Sequence, residues 1–188
     1  MRTVAFTQMA DGTAEEYEYL EEFERAELVT FPDRVMGWLQ TMDEPTGYQI
    51  TRYEHSLQAA TRAHRAGEDE EMVVCALLHD VGDYLAPANH SEVAAAMLRP
   101  YISEKNYWII KHHGVFQGFY YLHHQGQDPN ARDRWRDHPH YQATVDFCAK
   151  YDQCSFDPEY PSESLDFFAP MVRRVLVTPR PFDAAADV

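Results

Sequence analysis

The residues best suited to chemistry in this 188-residue chain are histidines and aspartates placed near the ends of apolar stretches. In "VVCALLHDVGD", residues 73–83, a continuous apolar run passes directly into His79 and Asp80. Such a run belongs in a core, where an unpaired charge is costly, so a polar pair at its end needs partners. Neutral imidazole and carboxylate hold iron, manganese or zinc, and one carboxylate can bridge two ions. Alone, the pair reads more readily as a core histidine satisfied by a carbonyl and an aspartate capping the next turn. The other segments change this. His55 lies in "YEHSLQAA", His90 follows "GDYLAPAN", His112 and His113 end "IIKHHG", and Asp152 sits in "CAKYDQC". Ligand-type side chains therefore recur through the chain at sites that rigid elements could bring together.

Helical spacing dominates the chain and strand signals are nearly absent, which predicts an all-α fold. Thr13 and Glu16 form a capping box that opens an acidic helix over 13–28. A second helix is expected over 32–42, then a break at "DEPTG", and a third over 51–65 closed by Gly67. A buried helix follows over 69–79. Asn89 can cap a helix over 89–98 that Pro100 ends, and Ser103 can cap another over 103–113. The aromatic, glycine-punctuated stretch 114–126 has no clear conformation. His138-Pro139 places proline where a helix over 139–153 begins, and a last helix over 162–175 contains Pro170. Neither repeats nor a linker divide the chain. The expectation is a single domain over 1–188 with its core at roughly 31–176 and a loose tail over 180–188.

A net charge of −15 argues against non-specific nucleic-acid binding and against an anionic membrane surface. A small anionic substrate remains compatible, because a bound cation reverses the local field. No membrane span or signal-peptide core is expected. The three cysteines, Cys75, Cys148 and Cys154, are odd in number and form no zinc-type pairs, which fits a reduced, cytoplasmic setting. Cys75 lies on a buried face without an activating base, so it is not expected to act as a nucleophile.

The ordered series His55, His79-Asp80, His90, His112/His113, Asp152 resembles that of the HD-domain superfamily, whose fold is a helical bundle. From "YEHSLQAA" through "ALLHDVGD", "HSEVAAAMLRPY" and "IKHH" to "HPHYQATVDFCAKYDQ", the chain resembles the HD-domain diiron oxygenases that cleave carbon–phosphorus bonds. That resemblance implies two iron ions, Fe(II)/Fe(III), with Asp80 bridging. His55, His79 and Asp152 would complete the site of one ion. His90 and either His113 or His112 would complete the other, the matching favouring His113. It also implies a small phosphonate and O2 as reactants, with oxidation of a 1-hydroxyalkylphosphonate to a carboxylate and phosphate.

Within that family the amine end of the substrate varies. Members acting on a primary amine carry a glutamate seven residues before the first ligand histidine; this chain has Tyr48. A trimethylammonium has no N–H to donate, so an aromatic face suits it better, at roughly 0.5–2 kcal/mol per ring. Tyr53, Phe116, Phe119, Tyr120 and Tyr121 could add to that surface. The family's lysine four residues beyond the last histidine is replaced here by Phe116 or Gln117, so the phosphonate contacts are expected to involve Gln117, Gln125, His123 or Lys111. Asp83 stands where those members have histidine, and is expected either to orient a ligand histidine or to meet the substrate's cation. The competing expectation is a metal-dependent phosphohydrolase with the same ligands. The upstream His55 and a lysine-poor pocket count against it.

Overall fold

The helix α3 (Glu70–Leu78) forms the centre of the fold, and every residue from Met72 to Leu78 is buried. A helix apolar on all sides must be covered on all sides, and three others do this. These are α2 (Arg52–Arg65), α5 (Glu104–Gln117) and α7 (Leu165–Val175). The computed structural model describes residues 2–180, and no strand occurs among them. The helices α1 (Ala14–Gln40), α4 (His90–Leu98) and α6 (Tyr141–Phe147) complete an all-α fold, with α4 against α5, α5 against α6 and α1 against α7. From residue 181 the expected tail lies outside the described residues. No helix of the described residues is long and apolar enough to cross a membrane.

The ends of the helices carry the signals the sequence offers. Thr13 with Glu16 and Thr51 with Glu54 both form complete capping boxes. Asp69 opens α3 by accepting from the Met72 N–H at 2.9 Å. Gly67, with φ of +80°, follows α2 in the left-handed conformation that glycine takes without a Cβ penalty. Glu71 of α3 fixes the start of α5: one of its oxygens accepts from the Ser103 N–H, the Ser103 hydroxyl and the Asn106 amide at 2.7, 2.5 and 2.7 Å.

Four expectations change. The helices expected over 13–28 and 32–42 are one, with Pro32 inside α1. Proline removes the bond that an N–H at this position would make to the Leu28 carbonyl. Burial of Pro32, Val35, Met36 and Leu39 then holds the second half of the helix on the core. Second, Asn89 occupies the start of α4 without a side-chain capping bond. Third, α5 does not stop at residue 113 but runs through Gly114 to Gln117. The stretch after it folds as 3-10 turns at Gly118–Tyr120 and Leu122–Gln125, with a further one at Ala131–Trp135. Fourth, the helix expected over 139–153 is α6 followed by a π-helical turn, Cys148–Asp152, in which the Gln153 N–H reaches the Cys148 carbonyl at 3.0 Å. A π turn inserts a residue into the helical register and re-aims the side chains after it. Here the re-aimed side chain is Asp152.

Candidate metal centre

Four histidine rings and two carboxylates converge where the ends of α3 and α5, the start of α4, one face of α2 and the π turn meet. Asp80 lies at the middle. Its Oδ2 stands 3.5 Å from the Nε2 atoms of both His55 and His79, and its Oδ1 stands 3.4 and 3.1 Å from those of His90 and His113. The two oxygens are thus divided between two histidine pairs. Asp152 joins the first pair, with Oδ1 3.4 Å from His55 Nε2 and 3.7 Å from His79 Nε2. Donor atoms bound to one ion at about 2.1 Å lie roughly 3.0–3.4 Å apart, so this spacing is close to that of two coordination shells sharing a carboxylate.

Hydrogen bonding on the far side of three of the rings fixes which nitrogen faces inward. Nδ1 of His55, His79 and His113 donates to the carbonyls of Ser155, Ala76 and Ile110 at 2.8, 2.8 and 2.7 Å. A carbonyl only accepts, so Nδ1 carries the hydrogen and Nε2 presents its lone pair. His55 Nε2 and His79 Nε2 are then 3.2 Å apart, and those of His90 and His113 are 3.3 Å apart. Neutral rings facing each other in this way repel unless a cation or a proton lies between them. Asp152 shows the same need: Gln117 donates to its Oδ1 at 2.9 Å, while its buried Oδ2 has no hydrogen-bond partner. The donor set therefore fits metal ions of the first transition row.

In the metal-free chain a proton serves in place of an ion. Burial alone would lower the His79 imidazole, but the Asp80 and Asp152 carboxylates outweigh it and raise it from 6.5 to about 9. Asp80 is a carboxyl that burial would raise, yet His79, His113 and His55 hold it well below the usual carboxylate range. A raised imidazole stabilises the fold in full below its unfolded value of 6.5, and that contribution is lost as pH rises through about 9. Metal binding must expel this proton. Calorimetric zinc titrations at pH 7.5, repeated in buffers of different ionisation enthalpy, are expected to report release of about one proton per chain. Above about pH 10 the release is expected to vanish. Uptake of zinc at pH 7.5 with no buffer dependence would contradict this assignment.

A cavity of about 710 Å³ opens on one side of the cluster. Asp80, His90, His113 and Asp152 line it; His55 and His79 do not. Gln117 and Lys111, both expected near the substrate, line it as well. Of the remaining expected residues, His112 and Tyr121 also line the cavity, and the others lie elsewhere. His112 turns away from the cluster: its Nδ1 donates to the Trp108 carbonyl at 3.0 Å and its ring stacks on Trp108 at 3.8 Å. Of the adjacent histidines, His113 is therefore the one in the cluster. Phe116 is wholly buried against Tyr141 and Trp135, behind the site, because it leaves α5 on the side facing α6. Gln125 is exposed at the end of its turn and lines no part of the cavity, and the same holds for His123. Asp83 is also absent from this cavity; its oxygens meet His90 Nδ1 at 3.2 Å and the Arg52 guanidinium. Tyr48 is 63% exposed and stacks on Phe156, whose ring lies on His55 at 4.5 Å. Of the other aromatics considered, only Tyr121 lines the cavity. Burial raises its hydroxyl, and the neighbouring Tyr48 and Asp152 raise it further.

Three contributors were not anticipated. Arg134 lines the cavity beside Lys111, so the expectation of a pocket poor in cations does not hold in full. Phe156 backs His55, and Ser155 supplies the carbonyl that orients the same ring. Both follow Asp152 within the "CSFDP" turn, and only their nearness to that aspartate could have drawn attention to them. The buried thiols of Cys75 and Cys148 are pushed well above their usual range, first of all by burial, and are therefore poor nucleophiles.

The HD domain family model matches residues 52–141. A 42-residue segment, 22% of the chain, is 48% identical to a curated protein of Leisingera caerulea, the [1-hydroxy-2-(trimethylamino)ethyl]phosphonate dioxygenase (glycine-betaine-forming). The matched segment spans 21% of that relative's own length.

Proposed function

We propose that this HD-domain chain is a diiron oxygenase that cleaves the carbon–phosphorus bond of a 1-hydroxyalkylphosphonate. Its substrate in this reading is (R)-1-hydroxy-2-(trimethylamino)ethylphosphonate, and its products are glycine betaine and phosphate. The reaction balances with O2 alone: the hydroxyl-bearing carbon becomes a carboxylate, phosphorus leaves as phosphate, and one proton is released. Iron ions in the two halves would supply the Lewis acidity and the one-electron chemistry that O2 requires.

The observation that carries the reading is the unequal division of ligands. His55, His79, Asp152 and one Asp80 oxygen serve one half, away from the cavity apart from the two carboxylates. The other half has His90, His113 and the second Asp80 oxygen, and all three residues face the cavity. Three protein donors on an open side leave positions for a chelating hydroxyl and phosphonate oxygen. Gln117 holds Asp152 at the cavity wall, and Lys111 and Arg134 give that wall a positive charge suited to an oxyanion. Tyr121 in the cavity wall and the exposed Tyr48, which packs on Phe156 beside His55, offer aromatic faces to a quaternary ammonium. The relative's activity supports the same substrate class.

The protein loaded with iron is expected to consume O2 and release one phosphate per hydroxyphosphonate. Phosphate release from esters without O2 would replace this reading with the hydrolase, which the cations of Lys111 and Arg134 would equally serve. Tyr48→Glu is expected to shift kcat/KM by about tenfold or more from the trimethylated toward the primary-amine substrate. An unchanged ratio would remove Tyr48 from the cation site.

A further inference from the structure

The four ligand histidines are not anchored alike. Nδ1 of His55, His79 and His113 donates to a backbone carbonyl at 2.7–2.8 Å, and these side chains are 4%, 0% and 2% exposed. His90 is different on both counts. Its side chain is 25% exposed, and its Nδ1 donates to a backbone carbonyl, that of Pro87, only at a long 3.4 Å. A carboxylate lies nearer to the same Nδ1, with Asp83 Oδ1 at an ion-pair separation of 3.2 Å. His90 is also the first residue of α4, where the Asn89 side chain makes no capping bond. Neither packing nor backbone hydrogen bonding therefore fixes this ring as firmly as the other three.

Asp83 is itself held. Its side chain is only 6% exposed, and its other oxygen pairs with the guanidinium of Arg52, the first residue of α2. His55 lies three residues further along the same helix. One helix thus presents a ligand to the first half of the centre and, through Asp83, an anchor for the second.

From this we infer that Asp83, clamped by Arg52, is a positioning residue that orients His90 and makes the second half of the centre able to hold its ion. The inference rests on the dinuclear reading of the site but requires neither iron nor phosphonate. A carboxylate on the Nδ1–H of a ligand histidine fixes its tautomer and raises its basicity, and losing such a partner typically costs 10–100-fold in metal affinity. Asp83 touches neither the cavity nor an ion in this arrangement; it acts through the imidazole.

The test is stepwise zinc binding to the metal-free full chain, followed by competition with a chromophoric chelator. Native protein is expected to take up two ions. Asp83→Ala is expected to weaken one step by about 10–100-fold and leave the other unchanged. Asp83→Asn, which keeps an acceptor for the Nδ1–H but loses the charge, is expected to fall between the two and guards against misfolding of the alanine variant. Arg52→Ala is expected to weaken the same step by a smaller factor, and Arg52→Lys to restore it. Asp152→Asn, in the other half, is expected to weaken the other step. A general loss of structure would lower both steps together, and that result in Asp83→Asn would overturn the proposal. Two native steps that remain unaltered in both Asp83 variants would overturn it alone. A native protein that binds a single zinc would overturn the dinuclear reading, and the proposal with it.

Discussion

Asp80→Asn is expected to reduce the metal content from two ions per chain to one or none, and to lower turnover by at least about a thousandfold. That factor corresponds to the several kcal/mol of charge stabilisation that a metal site contributes. The reason is geometric. Both Asp80 oxygens are committed, one to His55 and His79, the other to His90 and His113. Asparagine can present an acceptor to only one pair and must turn its NH2 toward the other. That amide then donates to imidazole lone pairs that would otherwise bind an ion. The metal-free protein should change as well. Asp80 is the largest of the influences that raise His79, so in the variant His79 should titrate below about 9. Less than one proton should then be expelled by zinc at pH 7.5. Asp80 is held below its ordinary carboxyl value, so the stability it contributes is present at neutral pH and is lost only as pH falls below about 3.8. The asparagine variant lacks that contribution at pH 7 and lacks its acid-dependent loss. Elemental analysis together with buffer-dependent calorimetry checks each expectation, and a variant that keeps two tightly bound ions would show that Asp80 does not bridge.

The centre was legible in the sequence to the extent that it depends on local signals. His79 and Asp80 end an apolar run, and a run of that kind must form a buried helix whose end delivers them to an interior site. Likewise, Thr51 and Glu54 start α2, which places His55 one turn inside it. The choice between His112 and His113 was different. Adjacent helical residues point about 100° apart, and only the packing of α5 on α3 and α4 sets which one faces Asp80. Phe116 was misread for the same reason: Gln117, one helical turn beyond His113, shares its face, whereas Phe116 leaves toward α6. Asp152 was visible as a residue, but not the π turn that aims it, because a single inserted residue has no compositional mark. Ser155 and Phe156 are marked only by their nearness to Asp152, because their contacts with His55 span about a hundred residues, and no spacing rule points to Arg134. Pro32 shows a local signal overridden. A proline that should divide two helices is retained within one, because the buried residues after it offset the lost bond.

Gly82, within the same stretch as the His-Asp pair, carries the second large expectation. A Cβ built there would lie 2.3 Å from the His90 carbonyl oxygen and 3.0 Å from its carbonyl carbon and Cα. The glycine is required for space and not for conformation, since the left-handed glycines of the described residues are Gly67 and Gly126. The atoms it meets are backbone at the first residue of α4, so no side-chain rotation relieves the clash. The Gly82 carbonyl also accepts from the Leu85 and Ala86 N–H groups at 3.1 and 2.9 Å, which ties the glycine into the short loop before α4. In Gly82→Ala either that loop or the start of α4 must move by about 1 Å to reach ordinary contact distance. His90 moves with it, away from an Asp80 oxygen at 3.4 Å and His113 Nε2 at 3.3 Å. The expected result is a loss of about 2–3 kcal/mol in stability, read from urea unfolding, and at least about a hundredfold weaker binding of one zinc. The other ion should remain, because His55, His79 and Asp152 stand on α2, the end of α3 and the π turn. Gly114→Ala is the control. Its Cβ would meet the Ser91 hydroxyl at 2.7 Å, which can rotate away, and the His90 ring at an ordinary 3.6 Å. That variant should keep both ions and lose less than about 1 kcal/mol. If Gly82→Ala instead binds two zinc ions and unfolds at the native urea concentration, the close approach of Gly82 to His90 does not position the second half of the centre.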